Sequence, residues 1–115
     1  MGYEIKIYKT ATGKCPFQQW LHDLDDLRAK AAISLRLERI GLGNFGNCKA
    51  LGDGINELKI DIGPGYRIYF STIGRQVILL LCAGDKRSQK KDMATAKAYF
   101  QDFKEWRKNE NKKNN

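Results

Sequence analysis

Residues 55–70 read INELKIDIGPGYRIYF, and the fold turns on how this stretch is divided. Leu58, Ile60 and Ile62 alternate with Glu57, Lys59 and Asp61, the period-two pattern of a strand with one buried face. Gly63-Pro64-Gly65 predicts a turn, because glycine supplies unusual backbone angles and proline cannot sit in a central strand. Beyond it Tyr66, Ile68 and Phe70 continue the apolar face, while Arg67 and Tyr69 fall on the other. With Ile62 and Tyr66 flanking the turn, the hairpin pairs Ile60 with Ile68, Lys59 with Tyr69 and Asp61 with Arg67. Alternation thus turns Arg67 away from the core and makes it a diagonal neighbour of Lys59. Two readings of Arg67 stand on the hairpin alone. One is a cross-strand pair with Asp61, worth roughly a few tenths of a kcal/mol. The other is a contact to a phosphate.

On the C-terminal side, QVILLLCA (residues 76–83) is uniformly apolar, as expected of a central strand covered on both faces. A final helix follows GDKRS, with Met93, Ala96, Phe100 and Phe103 at helical spacing. On the N-terminal side, YEIKIY (residues 3–8) alternates as a half-buried strand, with Tyr3, Ile5 and Ile7 on one face. Pro16 suits a first helical turn, and Phe17, Trp20, Leu21 and Leu24 recur at helical intervals. DLDD ends that helix and offers Asp25 or Asp26 as the cap of a second, which runs to about Ile40. The second helix is apolar on two sides. Leu24, Leu27, Ala31 and Leu35 form one and Ile33, Leu37 and Ile40 the other. One side meets the sheet, and the other needs a further cover, either the neighbouring helix or a partner chain. GLGNFGN reads as a loop. The predicted order is β-α-α-β-β-β-α, an α+β fold with a small, mostly antiparallel sheet, two N-terminal helices and one C-terminal helix. Residues 1–108 are expected to form one domain and residues 109–115 a basic disordered tail.

The 115 residues suffice for one core but not two, and the 42% apolar, 30% charged composition is that of a globular protein. The opening residues lack a secretory pattern and the longest apolar run, Val77 to Ala83, is too short to span a bilayer. A cytoplasmic location without membrane association is the expectation. Cys15, Cys48 and Cys82 show no paired spacing, and His22 is the single histidine, so neither a metal site nor another cofactor is expected.

Charge is distributed unevenly. Residues 86–115 hold ten basic and four acidic side chains, against eleven and nine in the first 85. Such a block fits a polyanionic partner such as nucleic acid, or a solubilising helix face. Lys86, Arg87, Lys90 and Lys91 crowd the start of the last helix, where the helix dipole disfavours cations. A bound phosphate would relieve that repulsion.

The hairpin and the ILLLCAGDKRSQKKDMATAKAYF that follows resemble the addiction-module killer proteins, a HigB-like branch of the RelE/ParE toxin superfamily. The resemblance spans the chain from first strand to last helix, and G-P-G-Y-R-x-Y-F with a later G-D-K-x-x-Q-x-x-D carries it. It implies a RelE-like fold and a bacterial or prophage type II toxin. The implied partners are a co-encoded antitoxin, expected to be a helix-turn-helix protein, and messenger RNA on the ribosome, which many members cleave without a metal. By position the resemblance implies Lys59, Arg67 and Lys86 as catalytic residues, with Arg87 adjacent. Lys90, Lys91 and Tyr69 complete the candidate phosphate-binding set. Some mRNA-cleaving relatives place a tyrosine or histidine near the start of the last helix, where this sequence reads SQKKD, with Asp92 near the expected place.

RNA cleavage by its own 2′-hydroxyl needs a base, positive charge on the phosphorane and an acid for the leaving 5′-oxygen. Arg67 supplies charge alone, since guanidinium does not deprotonate. Lys59, if crowded by Arg67, Lys86 and Arg87, is the candidate base, and Lys86 the candidate acid or clamp. On this reading Arg67→Ala abolishes growth arrest and leaves the fold intact. A ParE-like gyrase inhibitor and a non-catalytic nucleic-acid-binding module are the alternatives. The spare side of the second helix is a candidate antitoxin surface, as is the cationic patch.

Overall fold

The computed structural model describes residues 2–113. The chain is α+β, and its described residues form three helices on a five-stranded mixed sheet. Its elements are β1 (Glu4–Ile7), α1 (Pro16–Asp23), α2 (Leu27–Gly41), β2 (Cys48–Gly52), β3 (Ile55–Ile60), β4 (Tyr66–Ile73), β5 (Val77–Asp85), a 3₁₀ turn (Lys86–Ser88) and α3 (Gln89–Lys113). The strand order is β1-β5-β4-β3-β2, with β1 parallel to β5 and every other pair antiparallel.

Pro16 opens α1 and Phe17 anchors it in the core, with Trp20, Leu21 and Leu24 packed around, as their spacing predicts. Asp26 caps α2 by accepting from the Ala29 amide at 3.0 Å. Ala29, Ile33 and Ile40 of α2 then meet Leu58, Ile60, Tyr66, Ile68 and Phe70 on the first sheet face. The second face is covered as well. There α3 sets Ala96 and Phe100 against Ile55, Tyr69, Leu79 and Leu81. β5 lies between β1 and β4 and contributes to both cores, which explains its unbroken apolar run. A register shift opposite Tyr69 and Phe70 sends Leu81 and Cys82 both to the α3 side.

Four expectations are corrected. Residues 48–52, read as loop, form the edge strand β2, whose mostly exposed side chains and register irregularity near Ala50 and Gly52 carry no alternation. α3 continues to Lys113, so residues 109–113 of the expected tail are helical. Ile7, expected inward, is 39% exposed on edge strand β1, and Tyr8 is buried instead. The hairpin is two positions off the predicted register: Lys59 faces Arg67, Glu57 faces Tyr69 and Ile60 faces Tyr66. The turn is therefore five residues, closed by Gly65 N–H donating to Ile62 O, with Gly63 and Gly65 at positive φ. A slip of two preserves which face each side chain takes, so the two-face assignment survives while the pairs change.

Candidate nucleic-acid interface

The register places the candidate residues at one end of the sheet. Lys59, Arg67 and Gly84 lie side by side across β3, β4 and β5, and Glu57, Tyr69 and Cys82 form the next row inward. The amide of Lys86 donates to Gly65 O at 3.0 Å, which ties the segment after β5 to the hairpin turn. Lys86, Arg87, Lys90 and Lys91 follow within the 3₁₀ turn and the first turn of α3, and all four are exposed.

These residues divide into a buried group and an exposed rim. Arg67 does point away from the first core, but it is enclosed under α3 at 7% exposure. Its partner is Glu57, 4% exposed, with Nε 3.7 Å from Oε1. The expected pair with Asp61 does not form. Asp61 sits 3.6 Å from Lys59 Nζ instead, and Arg67 is the cross-strand neighbour of Lys59. Gln89, the first residue of α3, donates to the other Glu57 oxygen at 3.1 Å and seals the group from above. Asp92 bonds Ser88 Oγ and lies against Gly84, where a side chain would collide with it. Arg67 Nε and Nη1 and the Tyr69 hydroxyl are buried with no hydrogen-bond partner among the described residues. Since the Glu57 carboxylate offsets the one guanidinium, the buried pair offers a phosphate no net positive charge.

The rim is different. Arg87 is held by Asp85, Nη2 to Oδ2 at 3.0 Å, and Asp85 also accepts from the amides of Arg87 and Ser88. That guanidinium holds the Asp85 carboxyl below the usual carboxylate range, and the carboxylate in turn raises Arg87. Lys86, Lys90 and Lys91 make no ion pair among the described residues. They are the cations available to a polyanion, with Lys59 two strands away at the same end of the sheet.

Period-two alternation from Lys59 back to Glu57 was the signal for the buried partner of Arg67. Gln89 and Gly84 had no comparable signal, because their roles depend on how α3 crosses the sheet. Tyr69, placed by sequence in the phosphate-binding set, is fully buried. Burial, with Glu57 and Asp92 adding to it, pushes its hydroxyl up. No group of three side chains suited to a metal forms among the described residues. Among the described residues no helix is long and apolar enough to cross a membrane.

The same enclosure makes a prediction at Cys82, whose thiol burial pushes up from 9.0 to about 12, with Asp92 adding to it. A thiol that holds its proton more tightly folded than unfolded adds stability that is complete below pH 9. That contribution is lost as pH rises from about 9 towards 12, since the unfolded chain ionises first. Cys82→Ala should therefore show a shallower fall in stability over that range, read from denaturation midpoints. Equal slopes would contradict the assignment.

No protein-family model matches the chain. It is similar to a protein of Haemophilus influenzae strain Rd, described as uncharacterized, with 48% identity over 99 residues that cover 86% of this chain and 96% of the relative. At that identity, and over nearly the whole of both chains, this protein belongs to the same family as the Haemophilus influenzae protein.

Proposed function

We propose that the chain is the toxin of a type II toxin–antitoxin module, a HigB-like member of the RelE/ParE superfamily with a RelE-like fold, cutting messenger RNA on the ribosome in the cytoplasm. The sequence resemblance suggests the class. The observation that carries the interface is the exposed lysine rim at one sheet end, where Lys86, Lys90 and Lys91 make no ion pair among the described residues and Lys59 lies at the same end of the sheet.

RNA lies along this rim with its phosphates on the lysines and, at Asp85, on Arg87. The 2′-hydroxyl attacks the adjacent phosphorus in line. Its proton passes to Lys59 as Lys59 hands one of its own to the paired Asp61 carboxylate, the O2′–P bond forms and the P–O5′ bond breaks. Lys86 steadies the phosphorane and protonates the departing 5′-oxygen. The products are a 2′,3′-cyclic phosphate and a 5′-hydroxyl. Arg67 becomes a positioning residue here, because it is enclosed with Glu57 and cannot reach the RNA backbone. A co-encoded antitoxin with an acidic segment neutralises the protein by covering the rim.

The Glu57–Arg67 pairing favours a second reading, in which the rim binds RNA without cutting it. Two measurements separate these. Mapping transcript 5′ ends after induction should show new ends in the wild type and none in Lys59→Ala or Lys86→Ala. Gyrase-trapped DNA breaks instead of new RNA ends would indicate a ParE-like toxin. Each of Lys86→Ala, Lys90→Ala and Lys91→Ala should lower the salt slope of RNA binding by about one and weaken binding similarly for all sequences. Unchanged slopes would remove the rim from the interface.

A further inference from the structure

The α2 side turned away from the sheet stays open. Leu27 is 77% exposed, Leu35 46% and Leu42 79%, and Arg28, Ala31 and Glu38 beside them are exposed too. Arg28, Ala31, Leu35, Glu38 and Leu42 follow one another at intervals of three, four, three and four, the spacing of a helix–helix seam. α1, β3 and the rest of the first core engage the opposite side through Ala29, Ile33 and Ile40. The neighbouring helix therefore does not supply the cover that the sequence calls for.

The charges in this seam identify an occupant. Arg28 lies in the first turn of α2 and Glu38 in its last, each at the end where the helix dipole disfavours it. Neither has an ion-pair partner among the described residues. We infer that α2 packs antiparallel against α2 of a second copy of this chain. Laid in reverse about Ile33, the seam is its own complement. Arg28 of each copy meets Glu38 of the other, Ala31 meets Leu35, and Leu42 reaches Leu24 at the end of α1. Two charges misplaced within one helix become two cross-copy pairs. One seam of this length is small, so association is weak and depends on concentration, as for interfaces under about 1,200 Å². The inference is independent of the RNA reading, since the seam lies on the sheet face opposite α3.

Sedimentation of the full chain over a concentration series tests it. The wild type should shift from the 13.1 kDa monomer towards twice that mass. Arg28→Glu alone and Glu38→Arg alone should each stay monomeric, because each sets like charges opposite one another twice. Mixed in equal amounts they should regain the dimer, since one chain then carries two anions and the other two cations. Both reversals suit the helix dipole, so neither should lose helix by circular dichroism. A wild type that stays monomeric throughout, single variants that still dimerise, or a mixture no heavier than its components would each overturn the inference. A seam that bound an antitoxin helix instead would give the first of these results.

Discussion

Gly84→Ala should destabilise the fold by about 1–3 kcal/mol and weaken RNA binding as well. Gly84 lies on β5 opposite Arg67, beneath the start of α3. A Cβ there would come within 2.5 Å of Ser88 Oγ and 2.9 Å of Asp92 Cγ, and would meet the Asp92 carboxylate oxygen first. The backbone angle is not at issue, because Gly84 is not among the glycines at positive φ. Space is. The aspartate is too short to swing aside without breaking its bond to Ser88, so the first turn of α3 must lift. That turn carries Lys90 and Lys91, and lifting it also draws Gln89 from Glu57. The stability loss is read in urea denaturation and the binding loss by RNA titration. Removing the obstacle should help: Asp92→Ala should cost less in the Gly84→Ala background than in the wild type, with a coupling of about 0.5–3 kcal/mol. Strict additivity would mean that Asp92 is not what fills the space over Gly84.

The elements legible in the sequence are those whose physics is local. The period-two runs around the Gly-Pro-Gly turn give β3 and β4, and the apolar QVILLLCA gives a strand covered on both sides. Proline, aspartate and helical spacing give α1 and α2. The edge strand β2 is not legible, because its pairing with β3 is made by backbone groups while its side chains stay mostly exposed. The hairpin register is half legible. Apolar alternation fixes the faces, but the position of the turn fixes the pairs, and Asp61 and Ile62 proved to belong to the turn. At the candidate site, the cationic segment after β5 is visible as composition. The burial of Arg67 is not, because it depends on where α3 crosses the sheet. A charge on the polar face of a strand looks solvent-exposed until a helix is laid over it.

That burial changes what Arg67 can be used to test. Glu57 and Arg67, at 5% and 8% side-chain exposure, form an ion pair inside the second core. Removing one member of such a pair leaves the other charged and dry, which costs about 3–5 kcal/mol. Glu57→Ala should be the more damaging change, because among the described residues Arg67 then loses its one anion at ion-pair distance and already has two nitrogens without a partner. Arg67→Ala should cost somewhat less, since Gln89 still donates to the stranded Glu57 carboxylate. The sequence-based expectation that Arg67→Ala spares the fold is therefore reversed, and a loss of growth arrest in that variant would report instability as readily as lost chemistry. Replacing both, as Glu57→Leu with Arg67→Met, should recover most of the lost stability, because neither charge is then left buried alone. Urea midpoints of the two single variants and the pair measure this directly. If the pair is no more stable than the worse single variant, the two charges do not offset one another. The paired variant should also bind RNA with near wild-type affinity and salt slope, since it leaves Lys59, Lys86, Lys90 and Lys91 in place. Binding retained without the guanidinium would assign phosphate recognition to the lysine rim and leave Arg67 to hold the strands and α3 that present it.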